Sequence, residues 1–317
     1  RNHRAGGLPA RMMNAAGPVM SHGRRGAAGS AVAFVVVGLA CQDIGAAIAV
    51  LVFPQTGPLG MVTLRLVFSA ILLLIITRPR LRGHGGRAWA SVVLFGGGLA
   101  LMNGLFYLAI ERLPLGVTVT IEVLGPLTLS VIAARKASAW LWAGLALMGV
   151  VLLAGGGWDR LDPIGVLFAL GAAASWALYI LCSARVGREF SSLDGLAIAM
   201  SVGAMLVLPF GIVTAGAALL QPSVLGIGAA VAVLSSAIPY ALELMALRRL
   251  AASTFAVLMS LSPGIAATMG WLLLGQHMSW LELAGIVLVI AASVGAVRAG
   301  AGAGTGREVQ PSSVSPM

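Results

Sequence analysis

Residues 100–126 read Ala100-Leu-Met-Asn-Gly-Leu-Phe-Tyr-Leu-Ala-Ile-Glu-Arg-Leu-Pro-Leu-Gly-Val-Thr-Val-Thr-Ile-Glu-Val-Leu-Gly-Pro126. The stretch is an apolar helix, a polar corner at Glu111-Arg112-Leu113-Pro114, and a second apolar helix. That second helix carries one carboxylate, Glu122, among small and apolar neighbours. The pattern returns 137 residues later: Tyr107–Pro114 corresponds to Leu244–Ala251, and Gly125-Pro126 to Ser262-Pro263. A duplicated hydrophobic hairpin with a lone intramembrane carboxylate decides the fold class and points to the function.

Composition says what surrounds the hairpin. The 317 residues are 59% hydrophobic and 9% charged, and their mean hydropathy is +0.99. Soluble domains carry about 25% charged residues, so the solvent for most of this surface is lipid. A span needs roughly 20 apolar residues, and ten spans fit, at about 31–53, 58–77, 88–110, 115–134, 138–156, 163–184, 193–213, 223–247, 251–274 and 279–298. Residues 1–30 and 299–317 read as disordered cytoplasmic tails. Cys41 and Cys182 fall inside apolar stretches and read as small packing residues.

The net charge of +10 raises nucleic acid as a partner, but the cations lie between apolar runs and not along one face. They follow the positive-inside rule instead. With ten spans and both termini cytoplasmic, seventeen of the twenty Lys and Arg fall inside. Arg112 and Arg160 fall outside, and Arg65 lies within a span. The repeat agrees with this count. A unit of five helices inserted twice must point in opposite directions, so matched corners should differ in charge. Glu111-Arg112 is neutral overall, whereas its counterpart Arg248-Arg249 is doubly positive. The expected domains are therefore a first five-helix repeat at 31–156 and a second at 163–298. Such inverted repeats place the substrate path at the interface between halves.

Apart from Asp194, Glu282 and Arg298 at span ends, the charged side chains within the spans are Asp43, Arg65, Glu122 and Glu243. Each is costly in lipid and is expected to face an interior or a watery cavity. Glu122 is the candidate proton carrier; Thr118 and Pro126 share its helix face. The alternative is an ion pair that only locks helices. Arg65 suits a substrate carboxylate, which its planar fork can bind with two parallel hydrogen bonds, or it pairs with Glu122 or Asp43. Asp43, beside Gln42, belongs to the same polar cavity or neutralises Arg65. Glu243 shares a face with Ser236 and Tyr240, near Pro239, which can free a backbone carbonyl; it also stands close to the corner arginines. Asn103 and Tyr107, four apart, line one face, and Asn103 matches Tyr240 under the repeat. Asp43, Arg65, Asn103, Tyr107, Tyr240 and Glu243 are thus the candidate substrate-binding residues. His277 has no partner at metal-ligand spacing, and no cofactor is expected.

Enzyme motifs are absent: no His-Glu-x-x-His, no Gly-x-Ser-x-Gly, no P-loop, no Cys-x-x-Cys. A membrane-embedded enzyme acting on lipid-linked substrates, or a non-transporting membrane protein, remains the alternative on these residues. The chain resembles the drug/metabolite transporter superfamily, with two tandem EamA domains. The stretches that carry the likeness are Val62-Thr-Leu-Arg-Leu66, Met102-Asn103, Leu105-Phe-Tyr-Leu108, Leu113-Pro-Leu-Gly116, Glu122 with Gly125-Pro126, Ser175-Trp-Ala-Leu-Tyr-Ile-Leu181 and Ile238-Pro-Tyr-Ala-Leu-Glu243. The resemblance implies a multi-pass protein of the bacterial cytoplasmic membrane. It implies export of threonine- or homoserine-like amino acids, or related small metabolites, in exchange for protons. Two positions depart from the family's pattern: Gln276 stands where a Glu is usual, and Asp43 where the residue is commonly uncharged.

Overall fold

A computed structural model describes residues 21–81, 83–134, 137–153, 161–190, 192–247, 249–250 and 252–304. The expected tails before Ser21 and after Gly304, the Arg135-Lys136 corner, Arg160 and Arg248 lie outside the described residues. Every regular element among the described residues is helical. In order these are α1 (Ser21–Thr77), α2 (Gly86–Ile110), α3 (Leu115–Glu122), α4 (Leu124–Ala134), α5 (Ala137–Leu153), α6 (Pro163–Glu189), α7 (Ser192–Ala215), α8 (Pro222–Ala232), α9 (Ile238–Leu247), α10 (Ala252–Met259), α11 (Ser262–Leu274) and α12 (Trp280–Gly304). A 3₁₀ turn at Gly216–Leu220 and a π-helical turn at Val233–Ala237 flank α8.

Among the described residues, eight helices are long and apolar enough to cross a membrane, where ten were expected. Two places account for the difference. The first two expected spans form one element, whose apolar part is Ser30–Thr77, 48 residues. At 1.5 Å per residue that is about 72 Å, more than twice the hydrocarbon thickness, so one straight crossing is impossible. The break is at Gly57, with φ 65° and ψ 169° between Pro54 and Pro58. Only glycine tolerates that conformation without strain. The fifth expected span, 138–156, is described as the shorter apolar helix Trp140–Leu153. Helix α1 also begins at Ser21, inside the stretch expected to be a tail, and α12 runs on to Gly304.

Two helices are interrupted at matched places. Helices α3 and α4 meet at Val123, and α10 and α11 meet at Ser260-Leu261. Position 123 plus the 137-residue repeat is position 260. Proline explains both interruptions: Pro126 and Pro263 have no N–H to give the carbonyls of Glu122 and Met259, four residues earlier.

Packing follows small residues. Helix α3 lies on α11, where a Cβ on Gly116 would stand 2.7 Å from the Ala267 Cα. Helix α5 crosses α12 so closely that a Cβ on Gly285 would meet the Gly149 carbonyl oxygen at 2.6 Å. Helix α2 meets α7 at Gly96, and α4 meets α6 where Gly125 abuts the Ala173 carbonyl. In lipid, close backbone approach of this kind replaces the hydrophobic effect as the source of helix association.

One end of the bundle is tied across its corners. Arg112 pairs with Asp162 at 2.8 Å. Asp162 also caps α6 by accepting from the Ile164 amide at 2.9 Å. Gln276, just past the left-handed Gly275 that ends α11, accepts from the Leu115 amide at the start of α3, at 3.0 Å. The corner that matches Arg112 under the repeat, Arg249, instead donates to Ser30 and lies over the Phe34 ring.

Candidate functional site

The site is built around Arg65, in the part of α1 after the Gly57 break. Its guanidinium is buried, 9% exposed. Nη2 donates to the Ser235 carbonyl at 3.2 Å, Nη1 to the Tyr107 hydroxyl at 3.5 Å, and the guanidinium carbon lies 5.6 Å from the Tyr107 ring centre. The Ser235 contact has a sequence cause. An α-helix would satisfy that carbonyl with the N–H of residue 239, which is a proline. The π-helical turn at Val233–Ala237 widens the helix at the same place, and π-bulges concentrate at functional sites. A further hydrogen bond, Ser69 to Ser236 at 2.9 Å, ties the two elements together.

Two carboxylates share this space. Asp43 and Glu122 line one cavity with Gln42, Arg65, Asn103 and Trp176. Arg65 and Glu122 are near enough to interact electrostatically, as are Glu122 and Asp43. Yet no ion pair within 4.0 Å joins Arg65 to either acid among the described residues. Asp43 Oδ2 and Arg65 Nε are buried with no hydrogen-bond partner. An unpaired buried charge is costly, so the locking ion pair weighed from the sequence is not what this geometry provides. Opposite charges are held apart, with open valences toward one cavity.

The adjoining cavity, of about 160 Å³, continues from Arg65, Glu122 and Asn103 to Ser235, Ser236, Tyr240 and Glu243. Of the seven residues expected to form the site, six line one or both of these cavities: Asp43 the first, Tyr240 and Glu243 the second, and Arg65, Asn103 and Glu122 both. Tyr107 does not. It is fully buried, lies beneath Arg65 and packs on Phe53 and Phe106, so it supports the guanidinium instead of lining the cavity. Asn103 uses its side-chain nitrogen on its own helix, donating to the Leu99 carbonyl at 2.9 Å.

Trp176, Met259 and Ser262 line these cavities without having been expected to. Trp176 lines both polar cavities and a third, apolar one. The usable signal was the run Gly171-Ala-Ala-Ala-Ser175 just before it, which lets α6 approach α4 and aims a large ring inward. Met259 and Ser262 are the repeat partners of Glu122 and Gly125. Both flank the proline-interrupted helix, and such interruptions mark substrate sites in inverted-repeat transporters. No group of three or more metal-ligating side chains exists among the described residues.

Comparison with known proteins gives the chain's relatives. The chain is 36% identical over 266 residues to the threonine/homoserine exporter RhtA of Escherichia coli strain K12, covering 83% of this chain and 90% of that one. Against RhtA of Salmonella typhimurium strain LT2 it is 36% identical over 263 residues, 82% and 89% of the two chains. The sequence profile of the EamA-like transporter family matches residues 163–298.

This chain belongs to the EamA-like transporter family.

The EamA-like chain is accordingly a multi-pass membrane protein and not an enzyme. It also superposes on a protein of known crystal structure with a TM-score of 0.55, 18% identity, and coverage of 83% of this chain and 96% of the other. At that identity the likeness shows the fold alone. The family match lies wholly within the second half, whereas Asp43, Arg65, Asn103 and Glu122 all come from the first. Tyr240 and Glu243, which also line the cavity, lie within the matched half.

Proposed function

We propose that this protein is a secondary transporter that exports threonine- or homoserine-like amino acids across the cytoplasmic membrane in exchange for protons. Its ten helices form two inverted five-helix repeats, 31–156 and 163–298, with both termini cytoplasmic. The ten-helix reading is supported by the Gly57 break in α1, the apolar helix Trp140–Leu153 and the matched interruptions at Val123 and Ser260. The substrate class is supported by the similarity to RhtA, an exporter of those two amino acids.

The observation that carries the mechanism is the separation of opposite charges in one cavity. A zwitterionic amino acid presents a carboxylate and an ammonium group. Arg65 has an unpartnered Nε for the carboxylate, and Glu122 and Asp43 offer acceptors for the ammonium. Exchange follows from simple competition. A carboxylate at Glu122 is neutralised either by a proton or by the substrate's ammonium, not by both. One enters as the other leaves, and because the zwitterion is neutral overall, each cycle carries the proton's single positive charge across the membrane. Tyr240 and Glu243 line the continuation of the cavity and serve as further polar contacts along the path.

The test uses purified protein in liposomes with an imposed pH gradient. Wild-type protein is expected to drive labelled threonine or homoserine against its own gradient. Glu122→Gln is expected to retain substrate-for-substrate exchange while losing the response to pH. A Glu122→Gln protein as strongly driven by the gradient as wild type removes Glu122 from the mechanism. Absence of both fluxes in wild type removes the substrate class.

A further inference from the structure

A second chamber of different character lies beside the polar cavity. This chamber, about 210 Å³, is bounded by Pro126 and Leu127 of α4, Ile180 of α6, Phe255 of α10, and Ser293 and Val297 of α12. Trp176 and Met259 line it and the Arg65–Glu122 cavity alike, so they form the partition between the two. Its walls are aromatic and aliphatic apart from three serines. Ser130 and Ser260 donate to carbonyls of their own helices. Ser293 does not: it is 5% exposed, and its Oγ is buried with no partner.

Size and chemistry together restrict what fits. A cavity of roughly 150 Å³ with apolar walls admits a benzene ring. The chamber therefore exceeds what a threonine side chain fills, and it offers one hydrogen-bonding atom at the wall remote from Arg65's helix. We infer that the chamber is the side-chain subsite of the transported amino acid, and that its substrates include amino acids with large, aromatic side chains, tyrosine above phenylalanine. This rests on the reading of the polar cavity as the holder of the ammonium and carboxylate groups. The backbone of the substrate sits between Arg65 and Glu122; its side chain passes Trp176 and Met259. Ser293 Oγ then meets the phenol hydroxyl.

Counterflow of labelled threonine, phenylalanine and tyrosine into proteoliposomes tests this. Wild type is expected to exchange all three. Ala256→Leu adds bulk to the chamber wall and is expected to lower the phenylalanine-to-threonine flux ratio about 10-fold or more, since a filled hydrophobic pocket discriminates by that order. Ser293→Ala is expected to lower the tyrosine-to-phenylalanine ratio about 2- to 10-fold, the worth of one hydrogen bond. Both readouts are ratios, so a smaller yield of folded variant does not affect them. If Ala256→Leu leaves the ratio unchanged, whether both fluxes fall or neither does, the chamber is a passage or a void and the inference is overturned. Wild type that exchanges threonine but neither aromatic amino acid overturns the subsite and leaves the polar cavity's assignment standing. Wild type that exchanges no amino acid overturns both.

Discussion

Arg65 Nη2 stands 3.2 Å from the Ser235 carbonyl oxygen, a carbonyl that Pro239 leaves without its α-helical donor. The guanidinium is thereby fixed from two sides, by backbone on one and by the Tyr107 hydroxyl and ring on the other. Arg65→Lys keeps the charge but loses the fork. Its ammonium cannot reach the carbonyl and a substrate carboxylate in the same planar arrangement. The KM for exchange is expected to rise roughly 10- to 100-fold, the worth of a charge-assisted hydrogen bond. Initial-rate uptake over a range of substrate concentrations checks this; an unchanged KM takes Arg65 out of substrate binding.

The crossing of α5 and α12 rests on two glycines whose backbones touch. Gly285→Val should destabilise the protein by about 1–3 kcal/mol, the usual cost of overpacking. Gly144→Ala, where nothing lies within 4 Å of the added carbon, should be close to neutral. Thermal unfolding in detergent separates them, and equal midpoints would mean that the crossing contributes nothing.

Asp162 gives a pH signature outside the membrane. The hydrogen bond from Arg112, then that from the Ile164 amide, hold its carboxyl below the ordinary range, while Arg112 is raised by the same pairing. A group whose acid strength increases on folding stabilises above its unfolded value, about 3.9, and that stabilisation disappears as pH falls through the folded value. Asp162→Asn should therefore unfold at a lower temperature than wild type at pH 7. The gap should close in acid, as the pH falls below the ordinary aspartate range. A gap that persists there would assign the effect to packing and not to charge.

Gln276→Ala removes the acceptor that serves the first amide of α3. Loss of such a cap costs about 0.5–2 kcal/mol, read as a lower unfolding temperature. Gln276→Glu restores an acceptor and should recover the wild-type midpoint near neutral pH. If it does not, the side chain acts by filling space against Gly270.

Much of this architecture was legible because lipid imposes simple rules. Apolar runs bounded by arginine located the helices, though α1 begins ten residues earlier than expected, at Ser21, and α12 runs on to Gly304. The 137-residue repeat aligned Pro126 with Pro263, while the helix interruptions beside them, inside spans expected to be continuous, came from the structure. What escaped was three-dimensional. The sequence places a Gly between Pro54 and Pro58, but its positive φ, which lets α1 run as one broken element, is a property of the fold. Tyr107 and Asn103 share a helix face by spacing, yet burial separates their roles, and periodicity carries no depth. Trp176 was hidden because a tryptophan in an apolar helix resembles any other membrane residue until its neighbours are known. Intramembrane charge was the most transferable signal: Asp43 and Arg65 lie on either side of the break in α1, Glu122 on α3 and Glu243 on α9, and together they line two adjoining cavities.

The amide at position 276 bears on how a transport experiment can be read. The contacts tying that end of the bundle involve a neutral side chain and an ion pair that stays charged across the neutral range. Their strength is the same whether the facing solution is at pH 6 or pH 8. A clasp that is blind to acidity holds equally on either side of a proton gradient. An acid dependence of exchange between pH 6 and pH 8 would therefore not report loss of the Gln276 or the Arg112–Asp162 contact.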